Sequence, residues 1–280
     1  MMLIKLLSRL PLPVLYALGD VLYIFTFYVI GYREKVVTTN IKNAFPEKSP
    51  KEIKSIRKTF YKRFSEHIVE TLKAITISES EILKRVKFVN VPAVQPYADQ
   101  GQSILFIGSH QFNWEWVLQV GCLVLPFPVD AVYKRLSNKK FDQLMKETRG
   151  RFGGQPIEKS KMLRQIVKTK DRLRALAIVA DQSPRANAPK YWTKFMHQDT
   201  AFFLGPEQIA KAAGYPTFFY KVERKKRGYY TVELVKLAEP PYEKDTHEIL
   251  EKYVRETEKL IKNDPPGYMW SHRRWKLKKS

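Results

Sequence analysis

The apolar positions of this 280-residue chain fall into two rhythms that alternate along its length. One is the three-and-four spacing of a helix that buries one face. After Ser49-Pro50-Lys51-Glu52 it runs through Ile53, Ile56, Phe60, Phe64, Ile68 and Leu72, with Lys54, Arg57, Lys58, Lys62 and Arg63 on the opposite face. Ser49 as cap, Pro50 in the first turn and Glu52 three residues past the cap form a helix-start signal. A second helix is predicted near Ser78 or Ser80, and others over residues 114–125, 141–149, 161–168, 202–213 and 246–262. Their stops are Gly150 or Gly153-Gly154, then Gly214, then Asp264-Pro265-Pro266-Gly267. The other rhythm is the short apolar or alternating run, which predicts strands over residues 86–91, 103–107, 127–133, 173–179, 217–222 and 229–235. The last two flank Lys225-Lys226-Arg227-Gly228 and read as a hairpin. Residues 184–200 read as a long basic loop. Strands alternating with helices predict an α/β fold, a mixed and mostly parallel sheet flanked by helices.

One segment is of membrane length. Residues 14–30 are mostly apolar and aromatic, interrupted by Asp20, preceded by Pro11 and Pro13, and flanked on both sides by positive charge. At the short end of what a span needs, it suits a membrane helix or one lying in the interface, or else a buried core helix. Symmetric flanking charge leaves its orientation open, and no small-residue cleavage site follows it. The chain divides into an N-terminal membrane anchor, residues 1–32, and a domain of residues 33–280.

Composition narrows the picture. Hydrophobic residues make up 44%, enough for a large core, so a disordered chain is excluded. The single cysteine, Cys122, rules out an intramolecular disulfide. A net charge of +22 calls for anionic partners. The non-enzymatic alternative is a basic protein that binds an anionic membrane or nucleic acid; no nucleic-acid module is readable, and an apolar N-terminus suits nucleic acid poorly.

The chemistry concentrates at Gly108-Ser109-His110-Gln111-Phe112-Asn113-Trp114-Glu115, between a predicted strand and a predicted helix. A neutral imidazole accepts a proton near pH 7, and a nearby carboxylate can orient it and stabilise the imidazolium. Five residues apart on one helix, His110 and Glu115 would splay by about 140°. With His110 in the turn and Asn113 capping the helix, Glu115 can reach back. Read alone, the pair is equally a turn histidine and a glutamate complementing the helix dipole. Arg149 and Arg151 flank Gly150, and Lys134 and Arg135 end a strand; these suit an anion or a solvated surface. Asp181-Gln182-Ser183 follows a strand end, so Asp181 is placed to share a cleft with His110. His67, His197, His247 and His272 read as ordinary residues. No spacing suggests a zinc site, a Gly-x-Ser-x-Gly elbow or a phosphate-binding loop. The closing stretch, residues 268–276, reads as an interfacial foot or as a packed segment.

Taken in order, five segments resemble the lipid A biosynthesis (Kdo-lipid A late) acyltransferases, a branch of the lysophospholipid acyltransferase superfamily. They are the apolar N-terminus with Asn40-Ile41-Lys42-Asn43-Ala44-Phe45-Pro46, the His110/Glu115 pattern, Arg149, Asp181-Gln182-Ser183 ahead of Phe202-Phe203-Leu204-Gly205, and Trp270-Ser271-His272-Arg273-Arg274-Trp275-Lys276. Ser183 departs from a frequent acidic residue. The resemblance implies an α/β core on a membrane-associated helix, at the cytoplasmic face of the inner membrane. It implies transfer of a fatty acyl chain to a hydroxyl of a phosphorylated glycolipid acceptor in an anionic membrane. The co-substrate is an acyl-carrier-protein or acyl-CoA thioester, with no cofactor and no metal. His110 is then the general base, Glu115 orients it, and Arg149 binds phosphate or steadies the oxyanion with Asp181 in support. The same chemistry on a lysophospholipid or an amino-acid lipid is the alternative.

Overall fold

The computed structural model describes residues 1–169 and 171–279. Two N-terminal helices, α1 (Met2–Ser8) and α2 (Leu12–Ile24), open the chain, and α2 runs on into a wider π turn, Phe25–Val29. Next come α3 (Glu34–Ala44) and the long α4 (Pro50–Lys73). α4 begins at the expected signal: the Ser49 hydroxyl accepts from the Glu52 amide, and the Glu52 carboxylate accepts from the Ser49 amide at 2.9 Å. Ser78 caps α5 (Glu79–Arg85) in the same way.

From here strand and helix alternate: β1 (Val86–Phe88), α6 (Gln95–Asp99), β2 (Ile104–Gly108), α7 (Trp114–Val124), β3 (Val129–Tyr133), α8 (Lys139–Gly150), β4 (Gln155–Glu158), α9 (Met162–Lys168) and β5 (Ala175–Val179). A small hairpin, β6 (Lys190–Phe195) and β7 (Gln198–Phe203), precedes α10 (Gly205–Ala213). The chain then forms β8 (Thr217–Lys226), β9 (Tyr229–Ala238) and α11 (Glu248–Asn263).

Seven strands make one sheet in the order β1-β9-β8-β2-β5-β3-β4. Only β8–β9 is antiparallel within it, so the sheet is mixed and mostly parallel, as the spacing predicts. β2 is central and buried along its whole length, which a continuous Ile-Leu-Phe-Ile run requires. Leu105 and Ile107 face a core shared with α11, while Ile104 and Phe106 face a core shared with α7 and α2.

Three elements differ from expectation. Residues 202–213 are not one helix: Phe202 and Phe203 finish β7, and the helix starts at Gly205 with Pro206 in its first turn. The expected basic loop contains the β6–β7 hairpin, whose turn places Met196 at φ 49° and His197 at φ 65°. That geometry is usually announced by Asn or Gly, so the turn carries no sequence signal. β4 is an edge strand interrupted by Pro156, and it too has no clear pattern.

Gly108 ends β2 directly under the Tyr220 ring; a Cβ there would lie 1.8 Å from the ring carbon Cζ. Gly108→Ala is therefore expected to cost about 3 kcal/mol or more. Denaturant unfolding measures this, and a loss below about 1 kcal/mol would show that the ring moves aside freely.

Candidate active site

β2 and β5 pair in parallel with Gly108 opposite Val179. Two residues beyond each partner the chain places His110 and Asp181. Equal offsets from a fixed register bring the two side chains together at the carboxyl end of the sheet. His110 Nδ1 lies 2.6 Å from Asp181 Oδ1, and the His110 backbone amide donates to Oδ2 at 3.1 Å. An ionised carboxylate only accepts, so in the neutral ring the proton sits on Nδ1 and the lone pair on Nε2. The Gln182 amide nitrogen stands 3.3 Å from Nε2. Burial alone would raise the Asp181 carboxyl. The His110 ring and amide, with the nearby Arg274 charge, outweigh burial and hold it below the usual carboxylate range.

The turn carrying His110 is braced by the C-terminal segment. The Met269 amide donates to the His110 carbonyl at 3.1 Å, and the Phe112 amide donates to the Gly267 carbonyl at 3.1 Å. Phe112 sits in the left-handed region at φ 56°. Its ring packs so close to Gly267 that a Cβ there would come within 2.5 Å. Asn113 then caps α7, accepting from the Trp116 amide at 3.0 Å.

Glu115 does not orient His110. It lies in the first turn of α7, buried, and its two oxygens are gripped by Arg149, with Nε at 2.9 Å and Nη2 at 2.5 Å. Burial alone would raise this carboxyl; the fork of Arg149 outweighs it and lowers it. Nor does Asp181 support Arg149, because both its oxygens serve His110. The four predicted site residues thus form two pairs, His110–Asp181 and Glu115–Arg149. The exchange of partners arises because α7 turns Glu115 toward α8, while the strand register selects the carboxylate for His110.

Three further residues belong to this neighbourhood. His67 of α4 stacks on the Trp114 ring with centroids 4.2 Å apart, and His110 meets the same ring at 4.8 Å. Burial pushes the His67 imidazole down to about 4, so it is neutral at pH 7. His272 accepts from the Ser183 amide at 3.2 Å, and burial again lowers it to about 4. Arg274 is 2% exposed, with its guanidinium 4.3 Å from the Phe202 ring and no hydrogen-bond partner among the described residues. The closing segment is thus packed rather than interfacial, with Trp270 fully buried. His67 stands at the margin of an ordinary helical stripe, so only the fold reveals it; the other two lie inside the closing motif.

Two cavities meet at Trp114. One is lined by His110, His67, Arg63, Arg224, Tyr268 and Met269 among others and opens to solvent. The second lies between α7 and the sheet and is walled by Phe88, Phe106, Val117, Leu118, Leu125 and Val129, with Trp114 and Tyr220. Among the described residues no group of three or more His, Cys, Asp or Glu side chains could hold a metal ion.

A histidine–carboxylate pair at the strand ends, between a polar and an apolar cavity, is equipment for acyl transfer. The family model of the bacterial lipid A biosynthesis acyltransferases matches residues 1–277. The chain belongs to that family. It is an acyltransferase, and its fold, with the N-terminal apolar helix as a candidate membrane-associated element, agrees with the membership. It is similar to the lipid A biosynthesis lauroyltransferase of Escherichia coli (strain K12), with 24% identity over 275 residues, 98% of this chain and 89% of the relative.

The depressed imidazole of His67 has a consequence for stability. Between about pH 4 and the unfolded value near 6.5 the folded state binds fewer protons than the unfolded one. Stability is therefore full above about pH 6.5 and falls with pH through that window, by on the order of 3 kcal/mol from His67. Denaturant unfolding against pH, in the wild type and His67→Leu, checks this: the slope should flatten in the variant.

Proposed function

We propose that this acyltransferase moves a fatty acyl chain from an acyl thioester to a hydroxyl of a lipid A precursor, with His110 as general base. The observation that carries the reading is the His110–Asp181 pair, in which the carboxylate engages Nδ1 and leaves Nε2 at the cavity that His110 lines. The acceptor hydroxyl replaces the Gln182 amide at Nε2. As its oxygen attacks the thioester carbonyl, its proton passes to Nε2. The tetrahedral intermediate collapses by breaking the C–S bond, and the thiolate leaves with the proton returned by His110. Asp181 steadies the imidazolium between the two steps and keeps the proton of Nδ1 in place. The Glu115–Arg149 pair fixes the start of α7 and brings a guanidinium beside Tyr133, 5.7 Å from its ring, in reach of developing negative charge. No side-chain nucleophile is needed.

The two cavities suit the two substrates. The apolar one accepts a hydrocarbon tail; the one with Arg63 and Arg224 accepts a polar, anionic acceptor. An anionic thioester carrier has a matching surface. The register of Tyr133 with Glu158 sets Lys134 and Lys159 side by side at the carboxyl ends of β3 and β4, near Arg185. None of the three has a carboxylate partner among the described residues. This favours acyl carrier protein or CoA as donor, delivered at the cytoplasmic face of the inner membrane.

Mass spectrometry of products from mixed-length acyl carrier protein and detergent-dispersed lipid A precursor tests the proposal. A gain of one acyl chain is expected. His110→Ala should lower turnover by about 10³-fold and Asp181→Asn by at least about 10²-fold, each measured on protein that a cooperative melting curve shows to be folded. Full turnover in His110→Ala would overturn the assignment. A gain seen only on total membrane lipid would move the acceptor to a lysophospholipid or amino-acid lipid.

A further inference from the structure

α2 and its π turn have the length of a membrane span, yet both ends are fastened to the same helix, α4. At the start, Lys73 donates to the Leu10 carbonyl at 2.9 Å and to the Ser8 carbonyl at 3.2 Å. In the middle, the Tyr16 hydroxyl donates to buried Glu70 at 2.8 Å, and Asp20 pairs with Arg227 at 2.7 Å. Gly19 lies close enough to α4 that a Cβ there would touch Val69 at 3.3 Å. At the far end, the Tyr61 hydroxyl donates to the Tyr32 carbonyl at 2.5 Å, and Arg33 donates to the Ser271 carbonyl at 2.9 Å.

A spanning α2 would drag α4 into the hydrocarbon with it. α4 carries Lys54, Arg57, Lys58, Lys62, Arg63 and Glu66, and so many charges at bilayer depth are prohibitive. Breaking the ties instead would take Arg227 from Asp20 and the Tyr16 hydroxyl from buried Glu70.

The opposite face of α2 is exposed and apolar. Val14, Leu18, Val21, Phe25, Tyr28 and Val29 recur at three-and-four spacing, each at least 45% exposed. α1 continues the surface with Met2, Leu3 and Leu6, all at least 60% exposed. Cations bracket the stripe: Arg9 is exposed at one end, while Lys54 and Lys58 stand beside Tyr28 at the other.

We propose that α1 and α2 seat the protein on one leaflet of an anionic bilayer, lying in the interface without crossing it. This builds on the membrane-associated acyltransferase reading, and it settles on lipid as the occupant because an apolar stripe rimmed by cations matches acyl chains beneath anionic headgroups. The seat also orients the active site. α4 has α2 along one side and lines the polar cavity with Arg63 and His67 on another, so an acceptor lipid in the same leaflet approaches His110 along α4.

The test uses the full chain with Cys122→Ala, in sealed vesicles of phosphatidylethanolamine and phosphatidylglycerol. Single cysteines at exposed Lys5→Cys and Lys35→Cys are labelled from outside with a membrane-impermeant maleimide. A seated helix exposes both to the same side, so the two label to the same extent. Labelling of one position only, with the other reached after detergent, would establish a span and overturn the proposal. In a second arm, Leu18→Asp/Phe25→Asp should lower co-flotation with these vesicles by roughly tenfold or more. Acyl transfer to detergent-dispersed acceptor should stay at the wild-type rate. Undiminished flotation would reject the stripe as the seat. Activity in detergent is read separately, so failure of the seat leaves the reaction assignment standing, and failure of the reaction leaves the seat standing.

Discussion

The parallel register of β2 with β5 governs the rest of the site. Sliding β5 by one residue would turn Leu176 and Ile178 from one core to the other, so hydrophobic burial on both faces holds Gly108 opposite Val179. Once that alignment exists, the chain needs only two residues past each strand to place an imidazole against a carboxylate. Packing, a non-specific force, thereby positions the His110–Asp181 pair. The backbone amide of His110 adds a second donor to Asp181, so the carboxylate is held at two points and the ring cannot rotate without losing its partner. Such preorganisation removes reorganisation from the reaction itself.

Around this pair lies a second, less visible constraint. Glu70 is buried, and its carboxyl accepts from Tyr16, Tyr230 and Asn113 at 2.8, 2.8 and 3.0 Å. Its own backbone carbonyl accepts from the Trp116 indole at 2.9 Å. One acid thus joins α2, α4, β9 and the cap of α7. Burial raises its pKa in spite of those three donors, a sign of how costly an unpartnered charge would be there. α2 supplies one of its three donors, which makes the N-terminal helix part of the enzyme's interior order rather than an appendage.

Much of this architecture is legible in the chain. The Ser49 capping signal, the Asn113 cap, the continuous run of β2 and the β8–β9 turn all stand where local physics places them. The β6–β7 hairpin is not legible, because its turn uses Met and His in left-handed geometry instead of Gly or Asn. The partner of His110 is not legible either. Sequence proximity and family resemblance both point to Glu115, only five residues away, whereas the real neighbour is 71 residues distant and depends on strand register. His67 escapes notice for a related reason: on a helix stripe it is indistinguishable from a core residue until Trp114 is brought against it.

The placement of charge explains why these features coexist. Buried acids each find a specific partner: Asp181 takes His110, Glu115 takes Arg149, and Glu66 takes Arg224 and Arg227. Buried Arg274 has no carboxylate in a salt bridge among the described residues, and its charge instead favours the ionised form of Asp181. Among the exposed cations without a carboxylate partner are Lys134 and Lys159 at the carboxyl ends of β3 and β4, and Arg9, Lys54 and Lys58 at the rim of the α2 stripe. In the sheet order these regions fall on opposite sides of β2, the β9 side carrying α2 and the β4 side carrying Lys159. Two such approaches to His110 suit the proposed transfer between a lipid fixed in a membrane and an acyl chain delivered from solution. β2, between them, is the strand that holds His110.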